Sequence, residues 1–232
     1  MAEMIRVEQV DKTFTLHLRG GIALPVLRQA ALSVAAGECV VLQGPSGAGK
    51  STLLRSIYGN YRPQRGRILV RHDGAMTDMV SAKPQAVLDI RRRTLGYVTQ
   101  FLRVIPRVAT LDIVAEPLLA CEGDAGAARQ RAAELLGQLN IPRKMWDLPP
   151  ATFSGGEQQR INIARGLCAG YPVLLLDEPT ASLDDVNRKT VINLINDERA
   201  RGRAIVAIVH DPETRAAIST RLLSLQAIGE AA

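Results

Sequence analysis

Short apolar runs that end at glycine or a polar turn alternate with helically spaced segments over most of the chain. Thr13–Arg19 and Ile22–Leu27 alternate on either side of Gly20-Gly21, which predicts an antiparallel hairpin closed by a two-residue turn. Ala31–Val34 predicts a further short strand. After a turn at Gly37, Glu38–Gln43 is apolar with little alternation, the mark of a strand covered on both faces. Pro172–Leu176 and Ala204–Val209 carry the same mark, and Arg67–Val70 and Gly96–Thr99 predict shorter strands. Helices are expected from Lys50 to about Tyr58, over Pro84–Arg93 and over Val186–Arg201, with a last helix–strand pair reaching Gln226. Arg91-Arg92-Arg93 closes the second helix, where positive charge suits the helix dipole.

Between Phe101 and Leu167 the strand runs disappear and helical spacing takes over, clearest in Ala127–Leu139 with Leu135, Leu136 and Leu139 on one face. The expected architecture is therefore α/β, one domain over 1–232. Residues 1–100 and 168–232 carry the sheets, and 101–167 form an inserted helical lobe. Trp146 is read as packing within that lobe. No internal repeat and no low-complexity tail interrupts the plan.

Composition narrows the class. Of 232 residues, 47% are hydrophobic and 22% charged, so the chain can bury a core and is not a disordered one. No apolar stretch approaches the ~20 residues that a membrane-spanning helix needs. The N-terminus lacks the basic-then-apolar layout of a secretion signal, which leads to the expectation of a cytoplasmic protein without a transmembrane segment of its own. Cys39, Cys121 and Cys168 are too few and too scattered for a disulfide framework or a zinc cage. The net charge of +6 comes from a basic set that is arginine except for five lysines. Arginine favours bidentate contacts with phosphate or carboxylate, but a codon bias gives the same excess. With only eight aromatic residues to stack on bases, nucleic acid is not an expected partner.

The chemistry is concentrated in a few spacings. Gly44-Pro45-Ser46-Gly47-Ala48-Gly49-Lys50-Ser51-Thr52 fits G-x-x-x-x-G-K-[ST] and lies between an expected strand and an expected helix. Such a loop turns backbone N–H groups toward phosphate oxygens, and the helix N-terminus adds its positive end. Lys50 supplies a point charge to the β- and γ-phosphates and Ser51 a hydroxyl to Mg²⁺. Val173–Leu176 ends in Asp177-Glu178: the first acid is placed to hold Mg²⁺, and the second to polarise an attacking water. Ser154-Gly155-Gly156-Glu157 reads as a capping box, yet two glycines in a first helical turn cost stability that capping does not explain. Bare N–H groups there form a second anion site, and two anion sites in one chain suggest two molecules sharing a nucleotide. Gln100 and His210 each end a strand of the same expected sheet, on the edge where open α/β sheets bind ligands.

Taken in this order, the motifs resemble the nucleotide-binding domain of ATP-binding cassette (ABC) proteins over essentially the whole chain. The resemblance implies an ABC-type P-loop NTPase fold: a RecA-like core, an N-terminal antiparallel β subdomain and an inserted α-helical subdomain. It implies that Gly44–Thr52 are the Walker A loop, Gln100 the Q-loop glutamine, and Phe153–Glu157 the signature. Asp177 and Glu178 become the Walker B acids, Ser182-Leu183-Asp184 the D-loop and His210 the switch histidine. Metal contacts would come from Ser51, Gln100 and Asp177. Phe14 falls where the family stacks an aromatic on adenine, and it reads equally as a hairpin core residue. The signature departs from the common form at Phe153 and Glu157, with its Ser-Gly-Gly intact.

Outside these motifs, Lys12–Leu18, Gln100–Arg107, Thr152–Gly166 and Asp177–Asp184 look like the cassette-type subunit of the bacterial carbon–phosphorus lyase system. That resemblance implies a link to phosphonate breakdown, association with the lyase core and a second ABC-type subunit. It also implies a supporting part in making ribose methylphosphonate triphosphate, for which no displacement residues are visible. The expected activity is Mg²⁺-dependent ATP hydrolysis by a head-to-tail dimer of the chain. The alternatives are the motor of a membrane transporter, docked through the 101–117 face, and a DNA-associated cassette ATPase. The last would require a coiled coil or second cassette that 232 residues do not hold.

Overall fold

The structure is a computed structural model and describes residues 1–16, 21–102 and 107–227. Its opening hairpin is longer than the sequence pattern predicts. Strands β1 (Glu3–Leu16) and β2 (Ile22–Ala35) pair antiparallel from Glu3↔Ala35 to Leu16↔Ile22. Ala31–Val34, expected as a separate strand, is the end of β2. The pairing slips between Val7 and Val10, and Gln9 and Gln29 both take left-handed φ of 47°. A bulge inserts a residue and resets the alternation, so in sequence it looks like a strand boundary. The end of the expected first strand and Gly20 of the expected turn lie outside the described residues.

After β3 (Cys39–Gln43) and α1 (Lys50–Ile57), strands β4 (Arg65–His72) and β5 (Ala75–Asp78) complete an antiparallel sheet in the order β2-β1-β4-β5. β5 is too short and polar to show an apolar pattern. Next come α2 (Pro84–Arg93), β6 (Leu95–Val98) and the helices α3 (Thr110–Glu122), α4 (Ala125–Gln138) and α5 (Gly155–Cys168). The chain ends in β7 (Val173–Asp177), α6 (Asp185–Ala200), β8 (Ala204–Ile208), α7 (Pro212–Ile218) and β9 (Arg221–Ser224). The second sheet is parallel in the order β6-β7-β8-β3-β9. Among the described residues, no helix is long and apolar enough to cross a membrane.

The parallel strands read as unbroken apolar runs because they serve two cores at once. Val173 and Leu175 of β7, Val40 and Leu42 of β3, and Ala204, Val206 and Ile208 of β8 point into a core shared with α1 and the antiparallel sheet. Their alternates, Leu174, Leu176, Cys39, Val41, Ile205 and Ala207, face a core shared with α3, α4 and α5. Burial pushes the Cys39 thiol up to about 12 and Cys168 to about 11, so both act as small apolar side chains. Trp146 packs against the helical core and donates to Ile141 O at 2.9 Å. Arg91 does more than balance a dipole: it donates to Tyr58 O at 2.8 Å and Asn60 Oδ1 at 3.0 Å.

β6 and α5 meet glycine to glycine. A Cβ on Gly96 would lie 2.5 Å from Tyr171 Cδ2, and one on Gly166 would run into Val98 Cγ2. Gly166→Ala is therefore expected to lower stability by about 1–3 kcal/mol, the cost of overpacking a fitted core. Urea unfolding checks it, and an unchanged midpoint would mean that α5 is free to move off the strand.

Candidate functional site

Because β6, β7, β8 and β3 are parallel, their C-terminal ends share one edge, and the register aligns them: Leu42 lies beside Ile208, and Ile208 beside Asp177. Gly44–Gly49 leave β3 there, Gln100 follows β6, Asp177 ends β7 with Glu178 next, and His210 follows β8. Sequence order scatters these groups over more than 160 positions; the parallel sheet gathers them along one edge.

Two glycines of the loop are demanded by the chain itself. A Cβ on Gly44 would overlap Leu225 O, and one on Gly49 would sit 2.7 Å from Val26 O and from Leu27 Cδ2. Gly47, at φ 81°, has open space around it. Lys50 opens α1, is only 8% exposed, and donates from Nζ to Gly44 O (2.7 Å) and Pro45 O (2.8 Å). It has no carboxylate within ion-pair distance among the described residues. Its ammonium is thus held across the mouth of the loop by neutral carbonyls, with its charge left for an anion.

Asp177 is 2% exposed, and burial raises its carboxyl above the usual range. Ser51 Oγ donates to Oδ1 at 3.2 Å and Tyr97 Oη to Oδ2 at 3.3 Å, which partly offset that rise. No lysine or arginine of the described residues forms an ion pair with it. A buried carboxylate with no ion-pair partner among the described residues, beside a serine hydroxyl, is a set of hard oxygens, and that donor set suits Mg²⁺. Glu178 sits at φ 55°, a left-handed value that is rare for this residue and often found at functional turns. Its Oε2 accepts from Gln100 Nε2 at 3.3 Å and its Oε1 lies 2.9 Å from His210 Nε2. The structure therefore joins Gln100, Glu178 and His210 into one contact set.

Ser154 caps α5 as expected. Its backbone N–H donates to Glu157 Oε2 at 2.9 Å, its hydroxyl donates to the same oxygen at 2.7 Å, and the Ser154 hydroxyl holds Glu157 below its ordinary pKa. A Cβ on Gly156 would meet Ser182 O at 3.0 Å, whereas one on Gly155 would meet nothing. Packing among the described residues therefore gives no reason for glycine at 155. Asp184 is the N-cap of α6: its carboxylate accepts Asn187 N–H at 2.8 Å and Asn187 Nδ2 at 2.8 Å, which lowers its pKa. Its contacts are thus those of a cap. Phe14, on β1, meets Tyr61 of the turn after α1 edge-on at 5.1 Å, with the Lys12 ammonium 4.9 Å over the ring.

Three residues without a motif enter the site. Gln159 donates to Glu178 O and Pro179 O, both at 3.2 Å, and Asn162 donates to Thr99 O at 2.5 Å, tying α5 to the loops after β7 and β6. Tyr97 reaches Asp177. None carries a spacing that sequence alone could flag.

The family model described as ABC transporter matches residues 27–181. The chain belongs to the ABC transporter family. The ATP-binding protein LolD of the lipoprotein-releasing system of Maricaulis maris is 38% identical over 90% of this chain and 89% of its own length. The ABC transporter ATP-binding protein YtrE of Bacillus subtilis is 35% identical over 90% of each. The macrolide export ATP-binding/permease protein MacB of Brucella abortus is 38% identical over 91% of this chain, which spans 32% of that longer protein. Among solved structures, the dimeric post-hydrolysis state of the ATP-binding cassette MJ0796 bound to ADP and Pi superposes with a TM-score of 0.87 at 28% identity, covering 97% and 96% of the two chains. A second dimeric structure of that bacterial ABC transporter cassette gives 0.86 at 30%, over 96% and 94%. The ABC-type P-loop fold expected of the sequence is thereby established, with ATP and Mg²⁺ as its ligands. The carbon–phosphorus lyase subunit is a narrower assignment that these relatives do not carry; they are transporter ATP-binding proteins.

Proposed function

We propose that this cassette is the ATP-hydrolysing motor of a membrane transporter, acting on the cytoplasmic side as an ATP-dependent head-to-tail dimer. The observation that carries the hydrolytic reading is Glu178 held between Gln100 and His210 on the edge where Lys50 and Asp177 also converge. The names of the relatives favour a permease as partner.

Residue by residue, the backbone of Gly44–Thr52 cradles the phosphates, Lys50 meets the β- and γ-oxygens, and Phe14 turns its ring to the adenine. Ser51, Asp177 and Gln100 would hold the metal, which would neutralise charge on the phosphate oxygens. Glu178 takes the proton of the attacking water, while His210 and Gln100 orient it and respond to the γ-phosphate. Ser154, Gly155 and Gly156 of one subunit close over the nucleotide of the other, beside Asp184. Residues 101–167 act as the lobe that passes closure to the partner. A docking face reaching over 101–117 includes 103–106, outside the described residues.

A second reading keeps the motor and changes the partner to the carbon–phosphorus lyase core and its second ABC-type subunit. The stretches Gln100–Arg107 and Thr152–Gly166 favour it. Pull-down with tagged Glu178→Gln protein and Mg-ATP, from source cells grown on a phosphonate as sole phosphorus, separates the two. A permease in the membrane fraction is the expected result; soluble lyase subunits without a permease would replace the transporter reading with the second.

A further inference from the structure

We propose that Tyr97 is a positioning residue for the magnesium site, its hydroxyl fixing the direction in which the Asp177 carboxylate faces the metal. This rests on the reading of Asp177 as the metal-holding acid.

Tyr97 lies on β6 opposite Leu175 of β7, and Asp177 is two residues further along β7. Both side chains therefore stand on the same face of the sheet as diagonal neighbours, a separation that a long aromatic can span. Tyr97 Oη donates to Asp177 Oδ2 at 3.3 Å, and Ser51 Oγ donates to Oδ1 at 3.2 Å. A carboxylate tethered at each oxygen cannot rotate about its last torsion without breaking a bond. Ser51 is itself a candidate metal ligand, whereas Tyr97 donates to Asp177 without being one; its hydroxyl also meets the Arg55 guanidinium. A phenol O–H offers one donor and carries no charge near neutral pH.

The ring is held as firmly as the hydroxyl. Tyr58, the C-cap of α1, packs on it with centroids 5.0 Å apart. The Arg91 guanidinium lies 4.7 Å over the Tyr58 ring, and its Nε grips Tyr58 O. The Tyr97 ring also lines two cavities of about 420 and 470 Å³ that share Tyr58, Asn162 and Arg165. A phenylalanine would keep the ring contacts and lose the hydroxyl, with its bond to Asp177 and its contact with the Arg55 guanidinium. Tyr97 thus connects the groove beside the helical lobe to the metal-holding acid through one hydrogen bond.

The test separates positioning from packing. In the Glu178→Gln background, ATP binding is measured by calorimetry in excess EDTA and again across a Mg²⁺ titration. Tyr97→Phe and Tyr97→Leu, which lack the hydroxyl but pack differently, should leave EDTA affinity within about twofold of the parent. Both should raise the Mg²⁺ concentration at half effect about 3- to 10-fold, the range of one ordinary net hydrogen bond. An unchanged Mg²⁺ midpoint in whichever variant folds overturns the proposal. So does an equal loss of affinity with and without Mg²⁺, which would mark Tyr97 as a packing residue. Asp177→Asn is the control: if it too leaves the Mg²⁺ midpoint unmoved, the reading of Asp177 fails and takes this proposal with it.

Discussion

Glu178→Gln should slow ATP hydrolysis by about 10²- to 10⁴-fold, the contribution of a positioned general base, while nucleotide still binds. The amide keeps the shape of the side chain and its contacts with Gln100 and His210, so the fold has no reason to change. What is lost is the ability to take a proton. Because ATP then persists, the closed dimer should accumulate in Mg-ATP and be visible by light scattering, and dissolve on adding EDTA. Hydrolysis at the parent rate would show that another group activates the water. His210 is then the next candidate, since its Nε2 lies 2.9 Å from the same carboxylate.

The second large effect concerns a position that contributes nothing to its own chain. Gly155 opens α5, and a Cβ there would touch no atom of the described residues within 4 Å. Gly155→Asp adds an acid to a first helical turn, where the dipole favours it by roughly 0.3–1 kcal/mol, and it removes a glycine. The free subunit should be as stable as the parent or slightly more so. Hydrolysis should nevertheless fall by about 10²-fold or more, because the carboxylate repels the phosphates that the bare N–H groups would meet in the dimer. Opposite signs in a thermal melt and a rate assay are the expected signature. If the variant instead hydrolyses ATP like the parent, the signature does not face phosphate and catalysis is complete within one subunit.

Most of the sheet core was legible because strands buried on both faces leave continuous apolar runs, as at Val173–Leu176 and Ala204–Val209. The phosphate loop was legible because backbone approach to an anion demands small residues at fixed offsets followed by Lys50 and Ser51. The antiparallel hairpin was less so. Its bulges at Gln9 and Gln29 break the alternation, and β5 offers only Ala75-Met76-Thr77-Asp78. At the site, Phe14 reads as an adenine or a hairpin-core residue, and its ring meets Lys12 of its own strand and Tyr61 of the turn after α1. Asp184, placed with the nucleotide by resemblance, makes the hydrogen bonds of a helix cap.

The sequence by itself determined the inventory: a phosphate-cradling loop, two acids at a strand end, a capped helix with glycines in its first turn, and a polar residue after each of two further strands. Each is a local pattern, set by spacing along the backbone, and spacing is what a sequence records. Only the tertiary structure decided which of these meet. The parallel register brings Glu178 between Gln100 and His210 and sets Tyr97 diagonal to Asp177. It also left Lys50 and Asp177 buried without ion-pair partners among the described residues, because packing fixes the distance between charges that the chain holds 127 positions apart.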